Sequence, residues 1–332
     1  MPSIRDVAAA AGVSYQTVSR VLNDSPRVRS ETKRQVLAAI DRLGYRPNRA
    51  AQALGLGRAR AVTVVTSNTT LYGYAATLQG IEEAAREEGL AAGVRVIEST
   101  REDDVRRAVE DVSDPSSGGV VVVAFDAEGA AVLRGLAADV PAVGATEPGV
   151  PAGTGRTAIF LDEQSAAADA TRHLLQLGHA TVHHVAIPSE TGARGREAGW
   201  RRALEEAGAW IPAAVPAGWN APSAYEAGVL LAADPAVTAI LCGNDDSALA
   251  VRRALYDAGR DVPGDVSIVG FDDVPGCAYW TPALTTVRMD FVGLGRACVA
   301  AILAELDHRE PPHLMLTAPR LVVRESTGPA PH

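Results

Sequence analysis

A short segment near the N-terminus carries side chains suited to reading nucleic acid bases. In "GVSYQTVSRVLN", residues 12 to 23, Tyr15 and Gln16 stand at the beginning of a predicted helix, and Arg20 follows about one turn later. Glutamine can pair with adenine through two hydrogen bonds, and arginine can pair with guanine in the same way. These residues therefore predict a helix that reads bases in the major groove of double-stranded DNA.

Other polar residues around this helix are short donors or cations that suit phosphate oxygens. Phosphate contacts position a protein on DNA without reading its sequence. The predicted backbone-binding residues are Ser14, Thr17, Ser19, Asn23, Arg27 and Arg29. For a single hydroxyl such as that of Thr17 or Ser19, ordinary exposure on a helix surface stays open as an alternative.

A second group of candidate residues follows the predicted strands in the rest of the chain. These are Asn244 and Asp245 in "TAILCGND", Asp272 in "VSIVGFDD", Arg194 and Arg196 after "VHHVAIP", and Trp219 in "AGWNAPSA". Carboxylate, amide and guanidinium groups can bind the hydroxyls of a sugar, and an aromatic plane can cover its apolar face. The set predicts a sugar-binding cleft, although both aspartates could instead cap the following helices.

Three short helices over residues 3 to 43 are predicted to position the first group. Serine hydroxyls begin each helix, and a glycine ends the first and the third. The predicted caps are Ser3, Ser14 and Ser30, and the apolar stripes are Val18, Val21 and Leu22, then Val36, Leu37, Ile40 and Leu43. Because the first two helices meet at Gly12, they form a helix-turn-helix.

From residue 61 onward the pattern alternates between strand and helix. The strand candidates are "AVTVVTS", "VRVIES", "GGVVVVAFD", "PAVGAT", "TAIFLD", "VHHVAIP", "TAILCGND" and "VSIVGFDD". Most are continuous β-branched runs, which are typical of strands buried on both faces. The alternation predicts an α/β core of two Rossmann-like lobes with parallel sheets, and such sheets bind ligands beyond the carboxyl ends of their strands.

The charge of the chain is unevenly distributed. Residues 1 to 60 hold eleven Arg and Lys against four Asp and Glu, a local charge of +7, whereas the remainder carries −16. A basic head suits a polyanion, and an acidic body would repel it. Contact with DNA is therefore expected to be confined to the head.

Several other kinds of protein are disfavoured by the sequence. No phosphate-binding glycine loop or G-x-S-x-G motif is present, and the histidines and the three cysteines lack metal-ligand spacing. We therefore expect no enzyme activity, no cofactor and no metal. The N-terminus does not resemble a signal peptide, and no apolar run is long enough to span a membrane, which predicts a cytoplasmic protein with no membrane partner.

Residues 1 to 60 closely resemble the DNA-binding head of the lac repressor family. The similarity rests on "DVAAAAGVSYQTVSRVLN" and "LGYRPNRAAQAL", and continues through "LLQLGH", "AGW", "CGNDDSALA", "VSIVGFDD" and "LTTVRMDF". The resemblance implies a bacterial transcription regulator, usually a repressor. Its core would be like a periplasmic binding protein and would sense a small molecule, commonly a sugar.

The resemblance also implies roles for residues that the chemistry alone leaves open. Asn48, Ala51 and Leu54 would belong to a hinge helix that enters the minor groove, with Tyr45 on the DNA backbone; without the resemblance, this segment would be interpreted as a plain linker. Arg196, Trp219, Asn244, Asp272 and Phe291 match effector-binding positions. Thr146 departs from that pattern, because an aspartate stands there in the matching pocket.

These observations lead to a domain scheme and to a set of expected partners. The scheme places a helix-turn-helix domain at residues 1–44, a hinge at 45–60, a core at 61–327 and a tail at 328–332. One lobe would hold about 61–159 and 291–318, and the other about 160–290 and 319–327. The expected partners are operator DNA, a sugar effector and a second copy of the chain, because two half-sites require two heads. A purine or another metabolite is the alternative effector, and a sugar-binding protein with no DNA role is a further alternative.

Overall fold

The protein divides into two compact units, Met1–Ala59 and Arg60–His332. The computed structural model describes residues 2–22, 28–45, 61–114, 118–150, 155–189, 195–310 and 316–331. The limits of the hinge and of the lobes given above stay predictions.

The first unit contains three helices around a small apolar cluster. They are α1 (Ile4–Ala11), α2 (Tyr15–Leu22) and α3 (Ser30–Leu43). Ser3 caps α1 in a capping box with Asp6, and Gly12 ends the helix in the left-handed conformation with φ 64°. Val7, Val18 and Val36, one from each helix, are fully buried. The cluster fixes how α2 presents its opposite face.

Two expectations for α3 were wrong. The helix begins at Ser30 itself, and Arg29 before it makes no side-chain cap. Leu37 is 44% exposed, and Ala39 is buried in its place. The buried positions Val36 and Ala39, with the half-buried Ile40, follow the i, i+3, i+4 spacing of one helix face. Leu37 lies next to that stripe rather than on it.

In the second unit, the described residues form a parallel five-stranded sheet followed by a mixed six-stranded sheet. The first sheet has the order β2-β1-β3-β4-β5. Its strands are β1 (Ala61–Thr66), β2 (Ala91–Val96), β3 (Gly119–Ala124), β4 (Ala142–Thr146) and β5 (Thr157–Ile159). The helices between them are α4 (Tyr72–Glu87), α5 (Glu102–Ser113) and α6 (Ala127–Gly135).

The second sheet has the order β11-β10-β9-β8-β6-β7, and only the β10–β11 pair within it is antiparallel. Its strands are β6 (His183–Ala186), β7 (Val215–Pro216), β8 (Ala239–Cys242), β9 (Ser267–Asp272), β10 (Thr285–Arg288) and β11 (Arg320–Val322). The associated helices are α7 (Glu163–Gln176), α8 (Arg196–Ala207), α9 (Ala221–Ala232), α10 (Asp245–Asp257) and α11 (Phe291–Leu306).

The predicted fold class is confirmed: a small helix-turn-helix head and an α/β core with parallel sheets. Four strands differ from the sequence expectation in detail. β2 begins three residues earlier than "VRVIES" and is exposed along its whole length because it is an edge strand. The short strands β7, β10 and β11 were not predicted, since two to four residues give no pattern that periodicity can detect.

The chain passes repeatedly between the two sheets. After β5 of the first sheet, α7 packs against β10 and β11 of the second. After β10, α11 packs against α4 and the first sheet, and the chain then returns to the second sheet at β11. Several covalent connections therefore join the lobes, and the ends of strands from both sheets can line one cleft.

Close contact between α4 and α11 depends on glycine. A Cβ at Gly80 would lie 2.1 Å from the carbonyl oxygen of Val292, and one at Gly295 would lie 2.2 Å from that of Thr77. No real Cβ tolerates such distances, so the backbones would have to separate. We expect Gly295→Ala to lower the free energy of unfolding by about 1–3 kcal/mol, measured by urea denaturation of the full chain.

Gly93→Ala is the matched control for this prediction. A Cβ at Gly93 on the exposed β2 would meet nothing within 4 Å, so this change should leave stability almost unaltered. If Gly295→Ala proved as stable as Gly93→Ala, close helix packing would not explain the glycine.

Candidate functional site

In the head, α2 turns one face to the apolar cluster and the other to solvent. Val18 and Val21 are buried, whereas Tyr15, Gln16 and Arg20 are exposed. Tyr15 is 55% exposed, which is high for a large aromatic side chain. The three predicted base-reading side chains therefore share a solvent-facing surface, and their role in reading bases stays a prediction.

The hydroxyl residues of α2 also act within the head. The Ser14 side chain accepts a hydrogen bond from the backbone N–H of Thr17 at 3.2 Å, as a helix cap does, and the two hydroxyls lie 2.9 Å apart. Thr17 and Ser19 are half-buried, and Arg29 is exposed. Tyr45 packs against the apolar cluster of the head. Asn23, Arg27, Asn48, Ala51, Leu54 and Arg194 lie outside the described residues.

In the second unit, a cavity opens where strands of the two sheets end. It holds about 620 Å³ of empty space, open solvent included. The structure brings all six predicted effector-binding residues to its wall: Thr146, Arg196, Trp219, Asn244, Asp272 and Phe291. The first sheet, the second sheet and α11 each contribute to this set.

An aromatic wall encloses much of this cavity, and most of it was not predicted. Its rings belong to Tyr72, Tyr74, Phe125, Trp219 and Phe291. Tyr74 meets Phe125 and Trp219 edge to face, at 5.2 Å and 6.3 Å between ring centroids. With aromatic residues at 5% of the chain, such a concentration is itself informative. In the sequence, Tyr72 and Tyr74, which stand close together in the segment after β1, were the signal from which part of this wall could have been found.

Arg196 is the central polar group of the cavity. Its side chain is 13% exposed; Nε donates to Glu163 at 3.0 Å, Nη1 donates to the Gly243 carbonyl, and Nη2 lies 3.5 Å from the Asp272 carboxylate. The guanidinium also stacks 4.2 Å from the centre of the Phe271 ring. Burial works against its charge, but Glu163 and then Asp272 raise its pKa above the ordinary value. The group stays charged and fixed.

Among the described residues, two polar atoms in the cavity wall are buried without a hydrogen-bond partner. They are the Thr146 hydroxyl oxygen and Oδ1 of Asp272, the oxygen that lies 3.5 Å from Nη2 of Arg196. Burial raises the pKa of Asp272 well above its usual range, against the opposing effect of Arg196. Its backbone has φ 112°, a strained value for a residue other than glycine. Unpaired buried atoms and local strain are both typical of a site built for a ligand.

Asn244 and Asp245, which follow β8 after Gly243, have different roles. Asn244 caps α10 by accepting a hydrogen bond from the Ser247 N–H at 2.8 Å, which leaves its amide nitrogen as a donor. Asp245 is fully buried and accepts hydrogen bonds from Thr286 at 2.5 Å and from the Val274 N–H at 2.8 Å. Asp245 is therefore a structural group, and burial raises its pKa to about 6.

Sequence reasoning also missed Asp126, which anchors the aromatic wall. The Tyr74 hydroxyl donates to Asp126 at 2.6 Å, and Ser67 donates to the same oxygen. Burial, reinforced by Asp126, raises the pKa of Tyr74 strongly. Asp126 in turn caps α6 through the Gly129 N–H. The bonds join segments that follow β1 and β3, a proximity that linear sequence does not reveal.

A second cavity continues from the first. It shares Glu147, Glu163 and Arg196 with the aromatic cavity, and holds about 830 Å³, open solvent included. His184 forms part of its wall, donating from Nδ1 to the Leu241 carbonyl at 2.9 Å and stacking on Trp200. The two cavities therefore belong to one continuous cleft.

Among the described residues, no group of three or more His, Cys, Asp or Glu could hold a metal ion. His173 and His179 instead contact the C-terminal segment, at Thr327 and Gly328. No helix of the described chain is long and apolar enough to cross a bilayer.

A helix-turn-helix head and a two-lobed ligand-binding core define a class of DNA-binding regulator. Residues 3–48 match the family described as bacterial regulatory proteins, lacI family, and residues 171–327 match a periplasmic binding protein-like domain. The chain is 32% identical to the lactose operon repressor of Escherichia coli (strain K12) over 304 residues, 91% of this chain and 84% of that protein. It therefore belongs to the LacI family of transcriptional regulators.

Solved structures agree with this assignment. The lac repressor dimer bound to operator and the anti-inducer ONPF superposes with a TM-score of 0.87 at 30% identity, over 98% of this chain and 99% of that one. The complex of the transcriptional regulator CelR with cellobiose gives a TM-score of 0.72 at 29% identity, over 98% of this chain and 100% of that one.

The buried imidazole of His184 should make stability fall in mild acid. Burial lowers the pKa of His184 from 6.5 to about 4, so the folded state stays neutral while the unfolded chain takes up a proton below pH 6.5. Stability is then lost as pH falls from 6.5 towards 4. This one group should cost about 2 kcal/mol at pH 5, and His184→Gln should remove that part of the pH dependence.

Urea unfolding at pH 7 and pH 5 would measure the difference. His308→Asn is the control, because His308 is exposed with φ 52°, a conformation that asparagine tolerates. Equal pH dependence in wild type and His184→Gln would contradict the assignment.

Proposed function

We propose that this protein is a transcriptional repressor of a sugar-utilisation operon. It binds a palindromic operator through the head and releases it when a small glycoside or disaccharide occupies the cleft between the lobes. A β-galactoside and a cellobiose-type disaccharide are the leading effectors. We further propose that α2, as the helix that reads bases, is close to the recognition helix of the lac repressor. The protein then acts by binding and not by catalysis.

One observation carries the sugar proposal: the buried Thr146 hydroxyl oxygen, which has no hydrogen-bond partner among the described residues, and the buried Asp272 carboxylate line the same cavity as an aromatic wall. Hydroxyl groups of a sugar could satisfy those oxygens, together with the amide of Asn244 and the guanidinium of Arg196. The Trp219 ring could cover the apolar face of the sugar. The second cavity supports an effector with a further ring or aglycone.

On the DNA side, Tyr15, Gln16 and Arg20 are proposed to contact base edges. Ser14, Thr17, Ser19, Asn23, Arg27 and Arg29, with Tyr45, would contact the backbone, and Asn48, Ala51 and Leu54 would enter the minor groove. The exposed position of the first three on α2, opposite the buried Val18 and Val21, supports this division. The local charge of +7 adds long-range attraction to the DNA.

A homodimer is the proposed working form, because a palindrome is read by two heads related by a two-fold axis. Exposed apolar side chains in the core offer surfaces for a second copy. Leu230, Leu249 and Tyr256 on α9 and α10 are 68%, 39% and 74% exposed. Val94 and Val96 on the edge strand β2 are 45% and 55% exposed, and an open edge is a ready docking surface.

Arg20 and Arg29 should affect DNA binding in different ways. Using an operator selected from random palindromic duplexes, Arg20→Ala should weaken binding by about 1–3 kcal/mol and relax discrimination at one base pair. Arg29→Ala should weaken binding to all sequences alike and reduce the slope of log affinity against log salt by about 1. Fluorescence anisotropy over a salt series and a set of single-base operator variants would measure both effects.

The DNA proposal would be contradicted by affinity that does not change with salt. Intact base preference in Arg20→Ala would remove Arg20 from the base-reading set, while leaving the DNA proposal in place.

Thr146→Val should separate ligand binding from folding. The Thr146 hydroxyl has no hydrogen-bond partner among the described residues, so its replacement by a methyl group should leave stability unchanged or raise it by about 1 kcal/mol. The same change should weaken the stabilising sugar about tenfold, because a hydrogen bond to the ligand is lost. Thermal-shift titrations with mono- and disaccharides would measure both quantities.

Thr171→Val is the matched control. The Thr171 hydroxyl is equally buried but donates to the Ala167 carbonyl at 2.8 Å, so its loss should lower stability without changing ligand affinity. If purines shifted the melting temperature and no sugar did, the purine alternative would replace the sugar effector.

A further inference from the structure

Asp126 lies behind the aromatic wall and joins three segments of the lobe built on the first sheet. Its carboxylate accepts hydrogen bonds from the Ser67 hydroxyl after β1, from the Tyr74 hydroxyl in α4 at 2.6 Å, and from the Gly129 N–H in α6 at 2.9 Å. Oδ1 accepts the backbone bond, and Oδ2 accepts both hydroxyls. Its neighbour Phe125 lines the cavity, whereas Asp126 is not among the described residues that do. Asp126 would therefore act on a bound ligand through a partner rather than by contact.

Tyr74 is the partner that reaches the cavity. Its side chain is 2% exposed and contributes to the cavity wall. The hydroxyl end is bound to Asp126, and a hydrogen bond to a carboxylate is stronger than one between neutral groups. The ring meets Phe125 at an interplanar angle of 72° and Trp219 at 82°. Because both ends of the side chain are in contact, the Asp126 carboxylate determines where the ring lies.

Trp219 lies across the cleft from Tyr74, in the segment between β7 and α9 of the other lobe. The indole is half-buried and meets the Tyr74 ring edge to face, at 6.3 Å between centroids. Such contacts are directional, because the positive edge of one ring faces the negative face of the other. A shift of the Tyr74 ring would therefore change the position that is most favourable for the indole.

We propose that Asp126 is a positioning residue of the effector site: by holding the Tyr74 hydroxyl, it fixes the Tyr74 ring against Trp219 and so fixes the indole plane that a ligand meets. This inference rests on the proposed function, in which Trp219 covers the apolar face of the effector. The Tyr74 hydroxyl is used as a donor within the protein, and the ring is the part of Tyr74 that contacts the ligand. The same carboxylate caps α6, so the wall is tied to the helix that follows β3.

Fluorine NMR of the full chain labelled with fluorotryptophan tests the proposal without a ligand. The chain has four tryptophans, and the signal of Trp219 is the one that disappears in Trp219→Phe. Asp126→Asn keeps an oxygen for the Gly129 N–H but places an NH₂ group where Oδ2 accepts the Tyr74 hydroxyl. We expect this change to move or broaden the Trp219 signal and to leave the other three in place.

Sugar affinity gives a second readout. The probe is whichever of lactose, cellobiose, galactose and glucose raises the melting temperature of the wild type most, titrated by calorimetry. Asp126→Asn should weaken its binding about tenfold, through the loss of the bond that holds Tyr74. In a Tyr74→Phe background the same change should alter affinity less than about twofold, because the hydroxyl through which Asp126 acts is already absent. A role confined to capping α6 would give equal effects in both backgrounds.

A second tyrosine–aspartate pair provides the matched control. The Tyr225 hydroxyl donates to Oδ2 of Asp257 at 2.9 Å, between α9 and α10, and neither residue is among the described residues that line the two cavities. Tyr225→Phe and Asp257→Asn should leave both the Trp219 signal and the affinity for the probe unchanged.

The outcomes separate this inference from the proposed function. An unmoved Trp219 signal in Asp126→Asn would overturn the inference and leave a sugar-responsive repressor intact. Equal effects of Asp126→Asn on affinity with and without the Tyr74 hydroxyl would also overturn it, because the carboxylate would then act as a helix cap alone. If none of the four sugars raised the melting temperature, the proposed sugar effector would fall and the inference with it, while operator binding by the same samples would still report on the DNA-binding function.

Discussion

The core of this protein is organised around a guanidinium that is largely removed from water. A buried charge is tolerated when fixed partners replace its hydration, and Arg196 receives partners from several elements. Glu163 stands at the beginning of α7, the Gly243 carbonyl follows β8, and Asp272 ends β9. These elements must end close together for Arg196 to stay charged. The same requirement leaves a polar cavity at the carboxyl ends of the strands.

The repeated sheet topology explains why a ligand at this place can affect both lobes. In each sheet, the second strand in chain order lies outside the first, and the later strands follow on the other side. In both halves the ends of the strands face the cleft, where ligands bind to open α/β sheets. Tyr74 and Trp219 meet across it, as do Glu147 and Ser189. We expect a ligand that binds these groups to favour the arrangement in which the lobes meet.

Much of the candidate site could be predicted from the sequence, because its polar residues stand at the ends of strongly patterned strands. Asn244 and Asp272 follow continuous apolar runs, so strand order did not need to be known to place them at one edge. Glu147 and Asp126 could not be found in this way, since their importance depends on Ser189 and Tyr74, which are distant in sequence. The prediction that Leu37 lies on the buried stripe of α3 was wrong, because a four-residue stripe is compatible with two neighbouring helix faces. Ala39, which is buried instead, gives only a weak apolar signal.

The opposite charges of head and core have a further consequence for the effector. An acidic core helps to confine polyanion binding to the basic head, and this advantage would be lost if the cleft were built from cations to hold an anionic effector. Arg196 is the one arginine or lysine among the described residues that line the cleft, and its partners already engage it, so we expect hydrogen bonds and aromatic contact to contribute most to ligand binding. The Thr146 hydroxyl, which has no hydrogen-bond partner among the described residues, is compatible with the same chemistry, because a hydroxyl does not require a charged partner. The difference in charge between the two units is thus expected to keep polyanion binding at the head.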